Sequence, residues 1–295
     1  MIAVEGLATI DAWAIAAIFA KAMGYGGALL GMGGPLFVLI FPDASADVRR
    51  LARKIAVIAA LILLAVLALR FGIRAARISG MGLPGAVDPM MLGFVWDSPL
   101  GTAAIWRGAG ALLIIVIVIE GVVGVGVGVI GAVLIAMSYT FVGHSLGDPR
   151  WLLASLLTVH LLAVAFWAGA LFPLRKAVSQ PDGASLLHRF GSIASMTVAL
   201  LIAVGLVFAW LMTGSVFVLV TTAYGWTLLA KLGVVAVLMI LAALNKWRFV
   251  PALATGEPSA ARHLRRSIQI EALAVLLILI ATATLTSITT PPVNL

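Results

Sequence analysis

Two of the four histidines, His144 and His160, are the side chains in this sequence best placed to do chemistry. His160 lies in a nearly uniform apolar segment, TVHLLAVAFWAGALFPL, and His144 lies near the end of the apolar segment before it. Ionisable side chains inside a membrane-spanning helix usually face the interior of a bundle or a water-filled cavity. An imidazole in such a place can ligate a metal ion, or it can simply bond to a neighbouring helix. Both interpretations stay open for each histidine.

Helical spacing indicates a methionine as a companion to His160. Met137 lies two turns before His144 on the same helix face, at about the expected depth of His160. His144 is expected roughly 10 Å nearer the surface than His160. A thioether and an imidazole at one depth suit Cu(I), whereas His144 suits an acceptor site for Cu(I) or Cu(II). The alternative for Met137 is simple packing in the core.

Three charged residues, Lys21, Lys231 and Glu271, are expected within or close to apolar segments. Lys231 can form a buried pair with Glu271, act as a gate that repels cations, or extend to an interface. Asn245 and Glu271 lie towards corresponding ends of the last two apolar segments, where they can line an exit for an ion. Structural pairing is the alternative for these residues.

The composition determines which elements must position these residues. The 295-residue chain is 63% hydrophobic and only 10% charged, whereas a soluble domain has roughly 25% charged residues. Apolar segments near or above the ~20 residues that cross a bilayer as a helix recur along the whole chain. The sequence therefore predicts an all-α, polytopic membrane protein with a single transmembrane domain, 1–295, and no soluble domain. Its eight transmembrane helices are predicted at 14–41, 51–75, 99–119, 121–143, 150–174, 190–213, 222–246 and 267–289.

The loops predict an orientation. Arg and Lys are concentrated in and beside loops 42–50, 175–189 and 247–266, and such loops usually face the cytoplasm. Both termini are then predicted to be periplasmic. The same concentration explains the net charge of +8 without a nucleic-acid partner. The opposite side has fewer basic residues: Arg70, Arg74, Arg77, Arg107 and Arg150. The group from Arg70 to Arg77 does not follow the rule.

The sequence lacks the residues and motifs that several kinds of chemistry require. It has no cysteine, which removes thiolate metal sites and disulfides. It has no Gly-x-x-x-x-Gly-Lys-Ser/Thr loop, so ATP-driven pumping by this chain is not expected. The glycine-rich run from Gly121 to Gly131 is interpreted as close helix packing. These features predict a transport protein and not an enzyme.

Several segments together resemble the copper resistance D (CopD) family of bacterial inner-membrane proteins. HLLAVAFWAGALFP, from His160 to Pro173, resembles the fifth-span signature of that family, and GHS (143–145) resembles its upstream Gly-His pair. YGWTLLAKLGVVAVLMILAALNKWRFVP, which holds Lys231 and Asn245, is similar to its seventh span, and Glu271 falls where the last span has a glutamate. IWRGAGALL (105–113) and RFGSIA (189–194) resemble the starts of its third and sixth spans. The resemblance covers residues 99–290 well and the first two spans loosely.

The resemblance implies an eight-span, multi-pass protein of the bacterial inner membrane that moves copper and contributes to copper resistance. We expect the direction of transport to be import. It implies that His144 and His160 are copper ligands, that Trp167 supports them, and that a periplasmic CopC-type copper-binding protein is a partner. Some relatives have a histidine in the first span, and Lys21 lies near that place here, which argues against a three-histidine site. Two alternatives stay open: a membrane b-type haem protein with two histidine ligands, and a copper-binding sensor or scaffold that does not transport.

Overall fold

A computed structural model of the chain describes residues 11–142, 149–213, 216–221 and 223–288. Within these ranges the chain is helical, and eight helices are long and apolar enough to cross a membrane, which confirms the predicted bundle. The helices are α1 (Ala12–Ile40), α2 (Ala46–Ser79), α3 (Leu83–Ala86), α4 (Pro89–Trp96), α5 (Pro99–Ile115), α6 (Val122–Ser138), α7 (Arg150–Ala177), α8 (Gly183–Thr213), α9 (Val216–Thr221), α10 (Ala223–Leu244), α11 (Val250–Ala254) and α12 (Ala260–Ile288).

Most helices extend beyond the apolar limits predicted from the sequence. Helix α2 begins five residues before the predicted start at 51, where the Ser45 hydroxyl accepts a bond from the Val48 amide. Gly80 caps its C-terminal end, and the φ of 68° at Gly80 lies in the left-handed region. The predicted loop 76–98 also contains α3 and α4, and the predicted loop 214–221 contains α9. Hydropathy marks the apolar part of a helix, whereas capping residues determine where the helix ends.

The shortest connection joins the third and fourth spans. Helix α5 continues as a 3₁₀ turn, Val116–Val118, and α6 begins at Val122. Gly121 has a φ of 100°, a backbone conformation that side chains with a Cβ rarely adopt. Residues 119–121 therefore form a tight turn, and the flanking helices α5 and α6 are shorter than the predicted spans 99–119 and 121–143.

Helix α1 lies at the centre of the bundle, where it packs against α2, α5, α6, α7 and α12. Small residues allow this close packing. A Cβ added at Gly33 would lie 2.6 Å from the Cα of Gly169, so α1 and α7 touch through their backbones at this point. In the glycine-rich run, a Cβ on Gly131 would lie 3.0 Å from the Leu113 side chain, which agrees with its interpretation as a packing surface.

Ion pairs join the basic loops at one end of the bundle, which we call the basic end. Arg53 donates to Glu120 at 2.8 Å, Arg189 lies 3.2 Å from Asp43, and Lys176 lies 3.8 Å from Asp47. Arg265 of α12 also donates to Ser179 at 3.0 Å. The loops that the orientation rule grouped together therefore do lie together, while the sidedness itself stays a prediction.

Candidate functional site

His160 lies inside the bundle on α7. It is ten residues from the start of this helix at Arg150, or about 15 Å along the axis. The residue is half-buried, and its Nδ1 atom is buried without a hydrogen-bond partner in the described part of the chain. A buried polar atom without a partner is unusual in a folded protein. His160 thus keeps a ring nitrogen free for a ligand.

Lys231 is an ionisable residue that lies at a depth similar to that of His160. Its position on α10, eight residues from the start at Ala223, corresponds to a depth of about 12 Å, similar to that of His160. An ammonium group at Lys231 would act electrostatically on the imidazole. Helices α7 and α10 both pack against α12, which brings the two side chains to the same region of the bundle. A cation that reaches His160 therefore meets the field of Lys231.

A second group, the carboxylate cluster, consists of Trp167, Asn245 and Glu271. Glu271 on α12 is only 4% exposed. Its Oε2 accepts a bond of 3.4 Å from the Trp167 indole, and its Oε1 accepts a short bond from the Asn245 amide. Trp167 lies seven residues after His160 on the same face of α7, about 10 Å nearer the basic end. The three residues join α7, α12 and the end of α10.

Local backbone geometry explains the position of Asn245. The helix changes from α to π over Asn245–Phe249, and Pro251 follows in α11. Proline lacks an amide hydrogen and its ring crowds the carbonyl four residues earlier, here that of Trp247, so the preceding turn widens. Such π turns occur often at functional sites. The turn places Asn245 against Glu271.

Unpaired oxygen atoms lie on the residues of this region. Asn245 Oδ1 is buried without a hydrogen-bond partner in the described residues. The same holds for the hydroxyl of Ser267, which is 4% exposed and lies one turn before Glu271 on α12. Sequence reasoning missed Ser267, although its spacing of four residues from Glu271 is the signal of a shared helix face.

The pair of Lys231 with Glu271, one of the three alternatives open for Lys231, is not formed in the described chain. The two are not within ion-pair distance, because Glu271 contacts Asn245, which lies 14 residues, or about 21 Å, beyond Lys231 along the helix. Sequence periodicity alone does not give the rotation or the partner of a helix, so opposite charge was the only guide to this pair. The neutral donors Trp167 and Asn245 take the place of the cation.

Two of the three predicted metal ligands, Met137 and His160, fall in the described part of the chain. Met137 lies on α6, which packs against α7, and its side chain is 36% exposed. His144 lies outside the described residues. Among the residues that are described, no group of three or more His, Cys, Asp or Glu side chains could hold a metal ion. That Met137 and His144 bind copper together with His160, or pass it to His160, stays a prediction.

The fold and the site define a polytopic helical membrane protein whose bundle holds a buried carboxylate and an imidazole nitrogen without a partner among the described residues. Residues 9–152 match the family model described as copper resistance protein D-like, N-terminal domain, and residues 184–285 match the model described as copper resistance protein D. The chain belongs to the copper resistance protein D family, whose members are membrane proteins of copper resistance and transport.

The matched residues extend the resemblance beyond what the sequence motifs indicated. The first two spans, whose motifs resemble those of the family only loosely, fall within the match at 9–152. His160 and Trp167 lie in the segment 153–183 between the two matches. No curated protein and no solved structure matches the chain at a significant level.

Proposed function

We propose that this protein imports copper through its helix bundle, with His160 as the central ligand on the route. The observation that carries this proposal is the buried Nδ1 atom of His160, which has no partner in the described part of the chain. Imidazole is a good copper ligand, and Met137 on the neighbouring α6 offers a thioether that favours Cu(I). His144, on the periplasmic side in our orientation, is the acceptor that passes copper to His160.

The carboxylate cluster is the second stage of the proposed route. It lies about 10 Å nearer the basic end than His160. Its potential ligands are the oxygen atoms of Asn245, Glu271 and the neighbouring Ser267, and those of Asn245 and Ser267 have no partner in the described residues. Oxygen ligands suit Cu(I) less well than nitrogen and sulfur ligands. Copper that moves from His160 to this cluster is therefore held more weakly, which favours its release at the basic end.

The surroundings of the protein follow from the same proposal. The basic end faces the cytoplasm, both termini face the periplasm, and the membrane is the bacterial inner membrane. A periplasmic CopC-type protein then delivers copper on the side where α7 begins. The positive-inside rule and the family match support this arrangement.

Uptake by the purified full-length protein in liposomes tests the proposal. We expect Cu(I) to enter the liposomes, as reported by a copper-selective dye trapped inside, at a rate well above that of protein-free liposomes. Binding without uptake would identify a sensor or scaffold in place of a transporter. A visible spectrum is recorded on the same sample, since a Soret band would show that the histidines ligate haem.

Replacing Lys231 with glutamine is expected to strengthen copper binding. Two unit charges about 10 Å apart repel by about 1.7 kcal/mol at an effective dielectric constant of ~20. Because this repulsion acts at His160, Lys231→Gln should tighten the Cu(I) affinity by roughly 15-fold. Competition with a chromogenic Cu(I) chelator measures the affinity. Lys54→Gln, which removes an exposed lysine near the start of α2 at the basic end, is the matched control. Equal affinities of wild type and Lys231→Gln would show that Lys231 does not act on bound copper.

A further inference from the structure

Five basic residues are close to one another at the end of the bundle opposite the basic end. We call this group the arginine cluster: Lys21, Arg70, Arg74, Arg77 and Arg107. Helices α1 and α2 pack so closely that a Cβ on Gly24 would lie 3.3 Å from the Val66 side chain; Lys21 lies one turn before Gly24, and Arg70 lies one turn after Val66. Charges on the three arginines of α2 would act on Lys21, and a charge on Arg70 would act on Arg107. The ion pairs found among the described residues all lie at the basic end. The positive charge of the cluster is therefore not balanced by a carboxylate within ion-pair distance in the described chain.

Arg107 is the deepest member of the cluster. It is only 4% exposed, its Nε donates to the Ser138 hydroxyl at 2.9 Å, and its Cζ lies 3.9 Å from the centre of the Tyr139 ring. Its Nη2 is buried without a hydrogen-bond partner in the described residues. A guanidinium presents five N–H donors, and donors left unsatisfied in a protein interior are costly. Arg107 thus has donors available for an acceptor that the described chain does not supply.

Hydroxyl groups continue the polar region from Arg107 towards Lys21. The rings of Tyr139 and Tyr25 lie 5.8 Å apart, and the Tyr25 hydroxyl is 3.3 Å from that of Thr286 on α12. Lys21 donates to the backbone oxygen of Thr286. Helices α1, α5, α6 and α12 therefore present polar groups to one another here, and α2 adds Arg70 beside them.

Gathered like charges destabilise a fold unless a counter-ion is bound. A cluster of this sign repels copper cations, so it is not a stage of the copper route. Arginine is well suited to phosphate, because its planar fork can bond two phosphate oxygens at once. The chemistry of the cluster therefore selects an oxyanion.

The surface around the cluster is apolar, which favours a lipid as the source of that oxyanion. Arg74 and Arg77 are exposed on the last turns of α2, where Leu69 and Ile78 are 53% and 51% exposed. The short helix α4 beside them exposes Phe94 and Trp96, and the Trp96 ring lies 6.0 Å from that of Phe71. Tryptophan is enriched where lipid headgroups meet the hydrocarbon core.

We propose that the arginine cluster binds the phosphate group of an anionic phospholipid, with the acyl chains along the exposed apolar residues of α2 and α4. The half-buried Arg70 holds the phosphate between Arg74 and Arg77 at the surface and Lys21 and Arg107 behind. This site is separate from His160 and the carboxylate cluster, and it does not depend on the copper route.

Lipid binding to the purified full-length protein tests the proposal by native mass spectrometry and by thermal unfolding in detergent. The probes are phosphatidylglycerol, phosphatidylcholine and inorganic phosphate. We expect several-fold higher occupancy by phosphatidylglycerol than by phosphatidylcholine, and a loss of roughly fivefold for each arginine removed. Arg70→Gln is the main variant, since Arg107→Gln can also impair folding through the loss of its bond to Ser138. Arg50→Gln, an exposed arginine of the basic end, is the matched control.

Three results would overturn the lipid site. The first two are equal occupancy by the two lipids, and equal losses of phosphatidylglycerol in Arg70→Gln and Arg50→Gln. The third is stabilisation by inorganic phosphate that matches the effect of phosphatidylglycerol, which would identify a site for free anions. Copper uptake measured on the same Arg70→Gln protein is expected to remain unless the lipid is needed for folding, which the unfolding temperature shows.

Discussion

The His160→Ala variant is expected to lose copper uptake by roughly 100-fold in liposomes. Removal of groups that only orient a metal ligand already costs 10- to 100-fold in affinity in other metal sites, so loss of the ligand itself should cost at least as much. His160 is the one ionisable residue of α7 between Arg150 and Arg175, and its free Nδ1 is the ligand atom of the proposed route. Initial rates of Cu(I) uptake at equal protein density measure the effect.

The controls for His160→Ala are alanine variants of the two histidines at the basic end. His188 and His263 are exposed, and their alanine variants are expected to keep wild-type uptake. His160→Met is the informative conservative change, because its thioether can still hold Cu(I) and should restore part of the activity. Wild-type uptake by well-folded His160→Ala protein would remove this residue from the mechanism. That result would leave the family membership and the lipid site unaffected.

The second large effect is expected at Glu271. In Glu271→Leu the Trp167 indole and the Asn245 amide both lose their acceptor inside the bundle. Each buried donor left unsatisfied costs about 1–3 kcal/mol, so we expect a clear fall in the unfolding temperature. Uptake should fall as well, because the variant loses the carboxylate that receives copper from His160. Glu271→Gln keeps one acceptor oxygen and should lie between wild type and Glu271→Leu.

Stability and uptake together distinguish the two roles of Glu271. Glu257→Gln is the matched control, since Glu257 is exposed at the basic end, where its carboxylate accepts a bond from the Ser259 hydroxyl. A stable Glu271→Gln protein with low uptake supports a place on the copper route. Low stability with normal uptake per folded molecule would make Glu271 a structural residue, and unchanged values for both Glu271 variants would contradict any role for the cluster.

The candidate site shows where sequence reasoning succeeds and where it stops. The sequence and its family resemblance predict that Trp167, Asn245 and Glu271 line or support the ion pathway, and the structure brings the three side chains together. Among the alternatives for Lys231, the pair with Glu271 is not the one formed: opposite charge favoured Lys231 as the partner of Glu271, whereas the packing of α12 brings Asn245. Arg107 was grouped with the loops and helix ends of the periplasmic side, yet it is 4% exposed. Its position within the apolar stretch of α5 was the signal that could have shown this.

Three properties can be derived from the amino-acid sequence alone: the number of spans, the shared end of the basic loops, and the depth of His160 along α7. These properties depend on the length of apolar runs and on the constant rise of a helix, and both can be read along one chain. Helix packing in three dimensions is needed to show that α1 is central, that Glu271 bonds to Trp167 and Asn245, and that five basic residues lie together at the opposite end. The reason is that inside a membrane most helix faces are similarly apolar, so hydropathy does not indicate which face meets which neighbour. Close contacts such as that of Gly33 with Gly169, together with the pairing of buried polar groups, make that choice.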